Sequence, residues 1–133
     1  MARILALDHG SARCGCAISD PSGTLATPVA VVERPDSKKG LAALAALVAE
    51  QGVERVVVGL PLTLQGAEGE QAEAARAFAQ RLERRLNVPV ELHDERLTTR
   101  LAERTGGTGD EDSRAAAHLL ESYLARASAG AHR

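Results

Sequence analysis

Residues 3–32 have the sequence RILALDHGSARCGCAISDPSGTLATPVAVV, in which apolar stretches alternate with turn signals. The stretches that predict strands are RILALD (3–8), CGCAIS (14–19) and TLATPVAVV (24–32), and DPSG (20–23) predicts a turn. Because the connections are short, we expect the three strands to form an antiparallel meander. Pro28 cannot donate a hydrogen bond to a neighbouring strand, so the third strand should lie at an edge or contain a bulge.

The pattern changes after residue 36 to helices that alternate with single strands. Apolar residues at helical spacing predict helices at 37–50, 70–86, 96–104 and 111–126, and strands are predicted at 54–61 and 88–94. The strand ERVVVGLP is apolar on both faces, which is typical of a central strand parallel to a neighbour. The order βββαβαβα predicts an α/β fold with a mixed five-stranded sheet, three antiparallel strands followed by parallel crossover strands, and helices on both faces.

The chain of 133 residues has the length of one domain and is 44% hydrophobic and 26% charged, as expected of a soluble protein. No apolar run reaches the roughly 20 residues of a membrane-spanning helix, and no secretory signal pattern is present, so we expect a cytoplasmic protein without membrane partners. The formal net charge is −2, which does not suggest a protein that coats nucleic acid. However, only Lys38 and Lys39 are lysines among sixteen basic residues, and arginine is well suited to bidentate phosphate contacts.

Two residue types exclude further classes of protein. Phe78 and Tyr123 are the only Phe, Trp or Tyr residues, which argues against a surface that stacks bases of single strands. Cys14 and Cys16 are two apart on a predicted strand and should therefore share one face. They are too few for a disulfide framework, so we expect them to pack in or near the core.

Two acidic residues lie at the ends of predicted strands. Asp8 ends the first strand and shares a face with Ile4 and Ala6, although an Asp that begins a D-x-G turn would look the same. Glu95 follows the fifth strand in PVELHDERLTT (89–99), although it could equally lie in the solvated first turn of a helix. Neither residue is diagnostic by itself.

A third acidic residue, Asp112, lies at the start of the last predicted helix. The helix dipole favours acidic residues there, but Asp112 also shares its helical stripe with Ala116, Leu119 and Tyr123, which should face the sheet. Glu111 lies on a different face, expected to stay hydrated. An inward carboxylate requires a cation. We therefore expect the three acids to converge on a hard divalent ion, Mg²⁺ or Mn²⁺, with room for a two-metal site.

Several motifs together resemble the YqgF (RuvX-like) branch of the RNase H-like superfamily. They are LALDHGSARCGCAISD, VVVGLPLTLQG, FAQRL, DERLTT and DSRAAAHLLESYL, and they extend from about residue 3 to residue 125. The resemblance implies a single RNase H-like nuclease domain over residues 1–133, with catalytic and metal-binding acids at Asp8, Glu95 and Asp112. It also implies a divalent-metal-dependent hydrolase that cleaves structured RNA in processing of the 5′ end of pre-16S ribosomal RNA, with possible ribosome-assembly partners.

The resemblance leaves alternatives open. The nearest is a Holliday junction resolvase acting on branched DNA, for which a homodimer would supply two cuts. From other classes, the chain could be a non-catalytic nucleic-acid docking module, or a fragment of a nucleotide-binding phosphotransferase, whose phosphate loop also contains D-x-G. The segment TGGTGDED before Asp112 is shorter and more acidic than is usual in the family, which puts substrate affinity in question.

The further candidate phosphate contacts are Arg13, Arg96, Thr98 and Arg100. The resemblance assigns this role to Arg13 in the first turn and to Arg96. Arg100 and Arg104 follow Arg96 at four-residue spacing and would extend a basic ridge, although a solvated helix face explains them equally well. Thr98 could donate a hydrogen bond to phosphate or could simply cap a helix.

Overall fold

A computed structural model describes residues 3–20, 22, 25–62, 69–94 and 111–131, with the side chains of the last helix described over 114–126. The strands are β1 (Ile4–His9), β2 (Arg13–Ser19), β3 (Ala26–Glu33), β4 (Arg55–Leu60) and β5 (Val90–Asp94), and the helices are α1 (Lys38–Glu50), α2 (Glu70–Arg85) and α3 (Glu111–Ala131). The expected element order is confirmed, while β3 begins two residues later than predicted and α3 ends five residues later. The helix expected at 96–104 lies outside the described residues. None of the described helices combines the length and hydropathy needed to cross a bilayer.

The five strands form one mixed sheet in the order β3-β2-β1-β4-β5. β1 pairs antiparallel with β2, and β2 pairs antiparallel with β3. β4 pairs parallel with both β1 and β5, which confirms its predicted central position. β3 lies at the edge, and the register of the β2–β3 pair shifts between Cys16 and Ala17, next to the pairing of Ala17 with Pro28. Both structural settings expected for Pro28 are therefore present.

One face of the sheet packs against α1 and α2 and holds most of the apolar core. Its buried side chains include Leu5 and Leu7 of β1, Val56 and Val58 of β4, and Cys14, Cys16, Leu44, Phe78 and Leu82. Both cysteines are free and buried, as expected. One stripe of α2 faces the sheet, because Ala75, Phe78 and Leu82 are buried while the arginines on the other side of the helix are exposed.

The opposite face is covered by α3 and is built from smaller side chains. Ala6 of β1 and Ala17 of β2 pack with Ala116, Leu119 and Leu120 of the helix. Small residues allow the helix backbone to lie close to the sheet. The alternation of side chains along β1 therefore separates the two cores, since Leu5 and Leu7 face α1 and α2 whereas Ala6 faces α3.

Two tight turns bring the end of β1 next to the start of α1. Gly10 donates a hydrogen bond from its backbone N to the oxygen of Arg13 at 2.8 Å, and a Cβ at position 10 would lie only 2.9 Å from that oxygen. Arg34 donates from its backbone N to Ala12, and Ser37 caps α1 by accepting from the N of Gly40 at 3.0 Å. These contacts fix the segment that carries Asp36 beside the end of β1.

Candidate active site at the end of β1

Asp8 lies at the carboxyl end of the central strand β1, opposite Gly15 of β2. The residue is half-buried, and its position in the alternation of the strand puts its side chain on the face of Ala6, which packs against α3. The edge formed by the carboxyl ends of β1, β4 and β5 is where ligands of open α/β sheets bind. Asp8 is thus a half-buried acidic residue at a sheet edge suited to ligand binding.

The direction of α3 is set by contacts of its second half. Arg55, the first residue of β4, donates from Nη1 to the hydroxyl of Tyr123 at 2.9 Å, so Tyr123 lies near the amino ends of the parallel strands. Ala116 and Leu119 are fully buried against the sheet, as the predicted stripe requires, and Tyr123 is half-buried. The helix therefore begins toward the opposite edge of the sheet, at which β1 ends. Asp112 is in the first turn of this helix, and its side chain is outside the described set.

The remaining predicted site residues fall into two groups. One group lies outside the described residues and comprises Glu95, Arg96, Thr98, Arg100 and Arg104. The strand β5 ends at Asp94, immediately before Glu95. Arg13 is exposed at the start of β2, opposite Glu33 of β3 and one turn from the end of β1. Among the described residues, no group of three or more His, Cys, Asp or Glu side chains could hold a metal ion.

A polar network joins β4, β5 and α3 on the same face as Asp8. The hydroxyl of Tyr123 donates to Glu91 Oε2 at 2.8 Å, and Arg55 pairs with Glu91 Oε1 at 3.1 Å. His93 is buried, with Nε2 3.0 Å from the hydroxyl of Ser122 and its ring edge-on to Tyr123. Burial and the charge of Arg126 lower the pKa of His93 despite the neighbouring Asp94 and Glu91 carboxylates. The network ties the strand that precedes Glu95 to the helix that carries Asp112.

The network also involves a face of α3 other than the stripe of Ala116 and Leu119. Ser122 and His118 are half-buried, while the side chain of Glu111, for which we expected hydration, lies outside the described set. Ser122 supplies a hydrogen-bond partner to His93, whose burial would otherwise be costly. The sequence offered a signal for this contact, because Glu91 and His93 alternate with the apolar Val90 and Leu92 in β5.

His9, like His93, had no role predicted from the sequence. It follows Asp8 and points to the other face of β1, where its ring stacks on Phe78 with centroids 4.3 Å apart. Its Nε2 lies 2.7 Å from Asp36 Oδ2, and its side chain is only 5% exposed. The alternation that places Leu5 and Leu7 in the core also gives His9 this inward position, although no prediction was made for it.

Cys14 and Cys16 are free thiols buried in the core. Interaction with the Cys16 side chain and burial raise the pKa of the Cys14 thiol well above its usual value. The thiol therefore stays protonated, which is the inert form of a buried cysteine. Packing in the core, the role expected from the sequence, is the role that the structure supports.

The sheet order and strand directions first define the class of fold, which is RuvC-like and RNase H-like. The structure of Thermus thermophilus RuvC in complex with a Holliday junction substrate aligns with 96% of this chain and 96% of its own, at 15% identity and a TM-score of 0.57. The fowlpox virus Holliday junction resolvase aligns with 94% of this chain and 99% of its own, at 13% identity and a TM-score of 0.52. At such low identities these likenesses concern the fold alone.

Sequence similarity then identifies the family. The family described as RuvX, Holliday junction resolvase, matches residues 2–126. A Moorella thermoacetica relative is 42% identical over 133 aligned residues, covering 93% of this chain and 95% of its own length. The chain belongs to the RuvX family.

The two curated relatives described here share one name. The Moorella protein and a Chloroflexus aurantiacus protein, which is 48% identical over 100 residues, are both called "Putative pre-16S rRNA nuclease". The match with the Chloroflexus protein covers 75% of this chain and 65% of the relative, just under two thirds of its length.

Proposed function

We propose that this chain is a divalent-metal-dependent nuclease that cleaves phosphodiester bonds of structured RNA during processing of the 5′ end of pre-16S ribosomal RNA. The observation that carries the proposal is the position of Asp8, half-buried at the end of the central strand and on the face covered by α3. Membership of the RuvX family and the shared name of the curated relatives support the reaction class. In this proposal residues 1–133 act as one nuclease domain, in the cytoplasm where the precursor RNA is made.

Three acids form the proposed metal site. Asp8 supplies one carboxylate, Glu95, two residues after His93 in the chain, supplies the second, and Asp112 supplies the third. The direction of α3 supports the inclusion of Asp112, because the helix begins toward the sheet edge at which Asp8 lies. Oxygen donors without a cysteine or histidine ligand set fit Mg²⁺ or Mn²⁺.

Each part of this chain has a defined task in the proposed reaction. Bound divalent ions supply activation of water and neutralisation of charge on the cleaved phosphate. The acids hold those ions in place, and the network of Arg55, Glu91 and Tyr123 fixes the separation of β5 and α3. Arg13, Arg96, Thr98 and Arg100 are the proposed phosphate contacts, which position the backbone without reading its sequence.

Branched DNA is the second candidate substrate, favoured by the description of the family as a Holliday junction resolvase. Cleavage of a four-way junction requires two symmetric cuts and would therefore imply a homodimer. RNA processing makes no such demand, but it brings the chain into contact with ribosome-assembly partners. The substrate preference of the purified chain separates the two candidates.

The test is cleavage of precursor ribosomal RNA and of a four-way DNA junction with Mn²⁺, Mg²⁺ or EDTA. We expect metal-dependent cutting of the RNA, reduced at least about 1000-fold in Asp8→Asn, since charge stabilisation by bound metal supplies several kcal/mol. Asp20→Asn is the matched control because Asp20 lies at the far end of β2 and its amide could still accept from the N of Leu25.

Metal binding gives an independent readout. Mn²⁺ should raise the thermal unfolding temperature of the wild type and of Asp20→Asn, but should raise that of Asp8→Asn much less. Equal cutting by Asp8→Asn and wild type would refute the assignment of Asp8, and preferential cutting of the junction would favour the DNA substrate.

A further inference from the structure

A cavity of about 280 Å³ lies beside the end of β1, on the face opposite Ala6 and α3. It opens between the β1–β2 turn, the segment that precedes α1 and the first two turns of α2. The residues that line it are His9, Gly10, Ser11, Asp36, Glu70, Gln71 and Ala74. Because His9 follows Asp8 directly, the cavity lies one residue from the proposed metal site but on the other side of the strand.

One wall of the cavity is held rigidly. The His9 ring is stacked on the buried Phe78 and its Nε2 is held by Asp36, so the ring has little freedom to rotate. Arg81 approaches Asp36 Oδ1 at 3.8 Å and offsets part of its charge. A wall fixed by packing and hydrogen bonds is typical of a binding site formed before the ligand arrives.

The opposite wall offers mainly hydrogen-bond acceptors. Glu70, in the first turn of α2, is exposed and makes no ion pair within the described part of the chain. Gln71 adds an amide and Ser11 a hydroxyl, both of which can accept. Such a wall disfavours phosphate, because two carboxylates repel it, and favours a neutral planar group with several N–H donors.

We propose that this cavity binds an unpaired nucleobase of the substrate, next to the cleaved phosphate, and that it prefers guanine. This inference rests on the proposed nuclease function. Guanine presents N1–H and its exocyclic amine side by side, which matches the two oxygens of a single carboxylate such as Glu70. The phosphate contacts would then position the strand, whereas the cavity would select which nucleotide lies at the cut.

The test uses one RNA hairpin with a single unpaired position that carries guanosine, inosine or an abasic site. Inosine keeps N1–H and lacks the exocyclic amine. Binding to the full chain is measured in EDTA by fluorescence anisotropy, so that it does not depend on cleavage. We expect the guanosine hairpin to bind about 10-fold more tightly than either other hairpin, the discrimination typical of one bidentate contact.

Two variants test whether Glu70 provides the preference for guanosine. Glu70→Gln keeps the shape of the side chain but removes one acceptor, and it should reduce the preference for guanosine to less than about 3-fold. Glu73→Gln is the matched control, because Glu73 is also an exposed acid of the first turn of α2 but does not line the cavity. It should keep the full preference.

The outcomes separate this inference from the proposed function. Equal binding of the three hairpins, or equal loss of preference in both variants, would overturn the nucleobase site, even if Mn²⁺-dependent cleavage is observed. A preference for guanosine that depends on Glu70, with no cleavage of any hairpin or precursor RNA, would uphold the cavity and refute the nuclease. Absence of both binding and cleavage would refute the two together.

Discussion

The two faces of the sheet differ in the size of the side chains that they bury. Toward α1 and α2, β1 contributes Leu5 and Leu7 to a large core that includes Phe78 and Leu82. Toward α3, it contributes Ala6, and the contact is completed by alanines and two leucines of the helix. At the margin of the second face, polar side chains of β4, β5 and α3 form a connected network.

This difference suggests that one face mainly determines stability and the other mainly determines the positions of the proposed site residues. Truncation of a large buried apolar side chain lowers the free energy of unfolding the most, so the face that packs against α1 and α2 should dominate stability. Small side chains set the distance between α3 and the sheet, so the other face should control the position of any group carried by the start of α3. Asp8 lies on this second face.

The largest expected effect on stability comes from truncating the first face. Leu82 is fully buried on α2, and Leu82→Ala should reduce the free energy of unfolding by about 2–5 kcal/mol through lost burial and a cavity. Urea unfolding measures the change. Cleavage per folded molecule should remain within about twofold of wild type, because α3 and Asp8 are not touched; a loss of activity in fully folded protein would contradict the separation of the faces.

The second effect comes from enlarging a side chain on the other face. Ala116→Leu should cost about 1–3 kcal/mol, because the added methylenes have no space between α3 and the sheet. Unlike Leu82→Ala, it should also raise the Mn²⁺ concentration needed for half-maximal cleavage, since the helix that carries Asp112 is displaced. Ala77→Leu is the control, because Ala77 is exposed on α2 and should tolerate the change. Unchanged metal dependence in Ala116→Leu would disprove the link.

The fold could be predicted from local patterns because each pattern has one dominant cause. Strict alternation in RILALD requires two different faces, the apolar strand ERVVVGLP requires a central position, and Pro28 requires an edge or a bulge. All three requirements are met in the structure. The position of Asp8 on the α3 face could be predicted from the same alternation.

Contacts between distant segments could not be predicted in this way. The pairing of His9 with Asp36 depends on the turn at Arg34, whose φ of 47° places the backbone in the left-handed region. Nothing in the spacing of the two residues indicates that contact. The pairing of His93 with Ser122 similarly joins two segments that are 29 residues apart in the chain, and it depends on how α3 is placed on the sheet.

The smallest expected effect concerns the polar network that distinguishes the second face. Tyr123→Phe removes the hydroxyl that bridges Arg55 and Glu91 and should cost about 1 kcal/mol near neutral pH. Burial raises the pKa of Tyr123 above its ordinary value of about 10, with Arg55 opposing and Glu91 adding to the shift. The folded state therefore holds the phenol proton more tightly than the unfolded state, and this stabilisation is lost as pH rises above 10.

The stability of wild type and of Tyr123→Phe should therefore converge at alkaline pH. Urea unfolding at pH 8, 10 and 11 measures the difference in unfolding free energy between the two proteins. Both contain the same lysines and cysteines, whose titration therefore cancels in the difference, and Tyr123 is the only tyrosine. Arg55→Lys is a useful companion, since the exposed Arg55–Glu91 pair itself contributes little and this variant should retain the convergence. A gap that stays constant from pH 8 to pH 11 would mean that the Tyr123 hydroxyl is hydrated, and that packing of small residues alone holds α3 to this face.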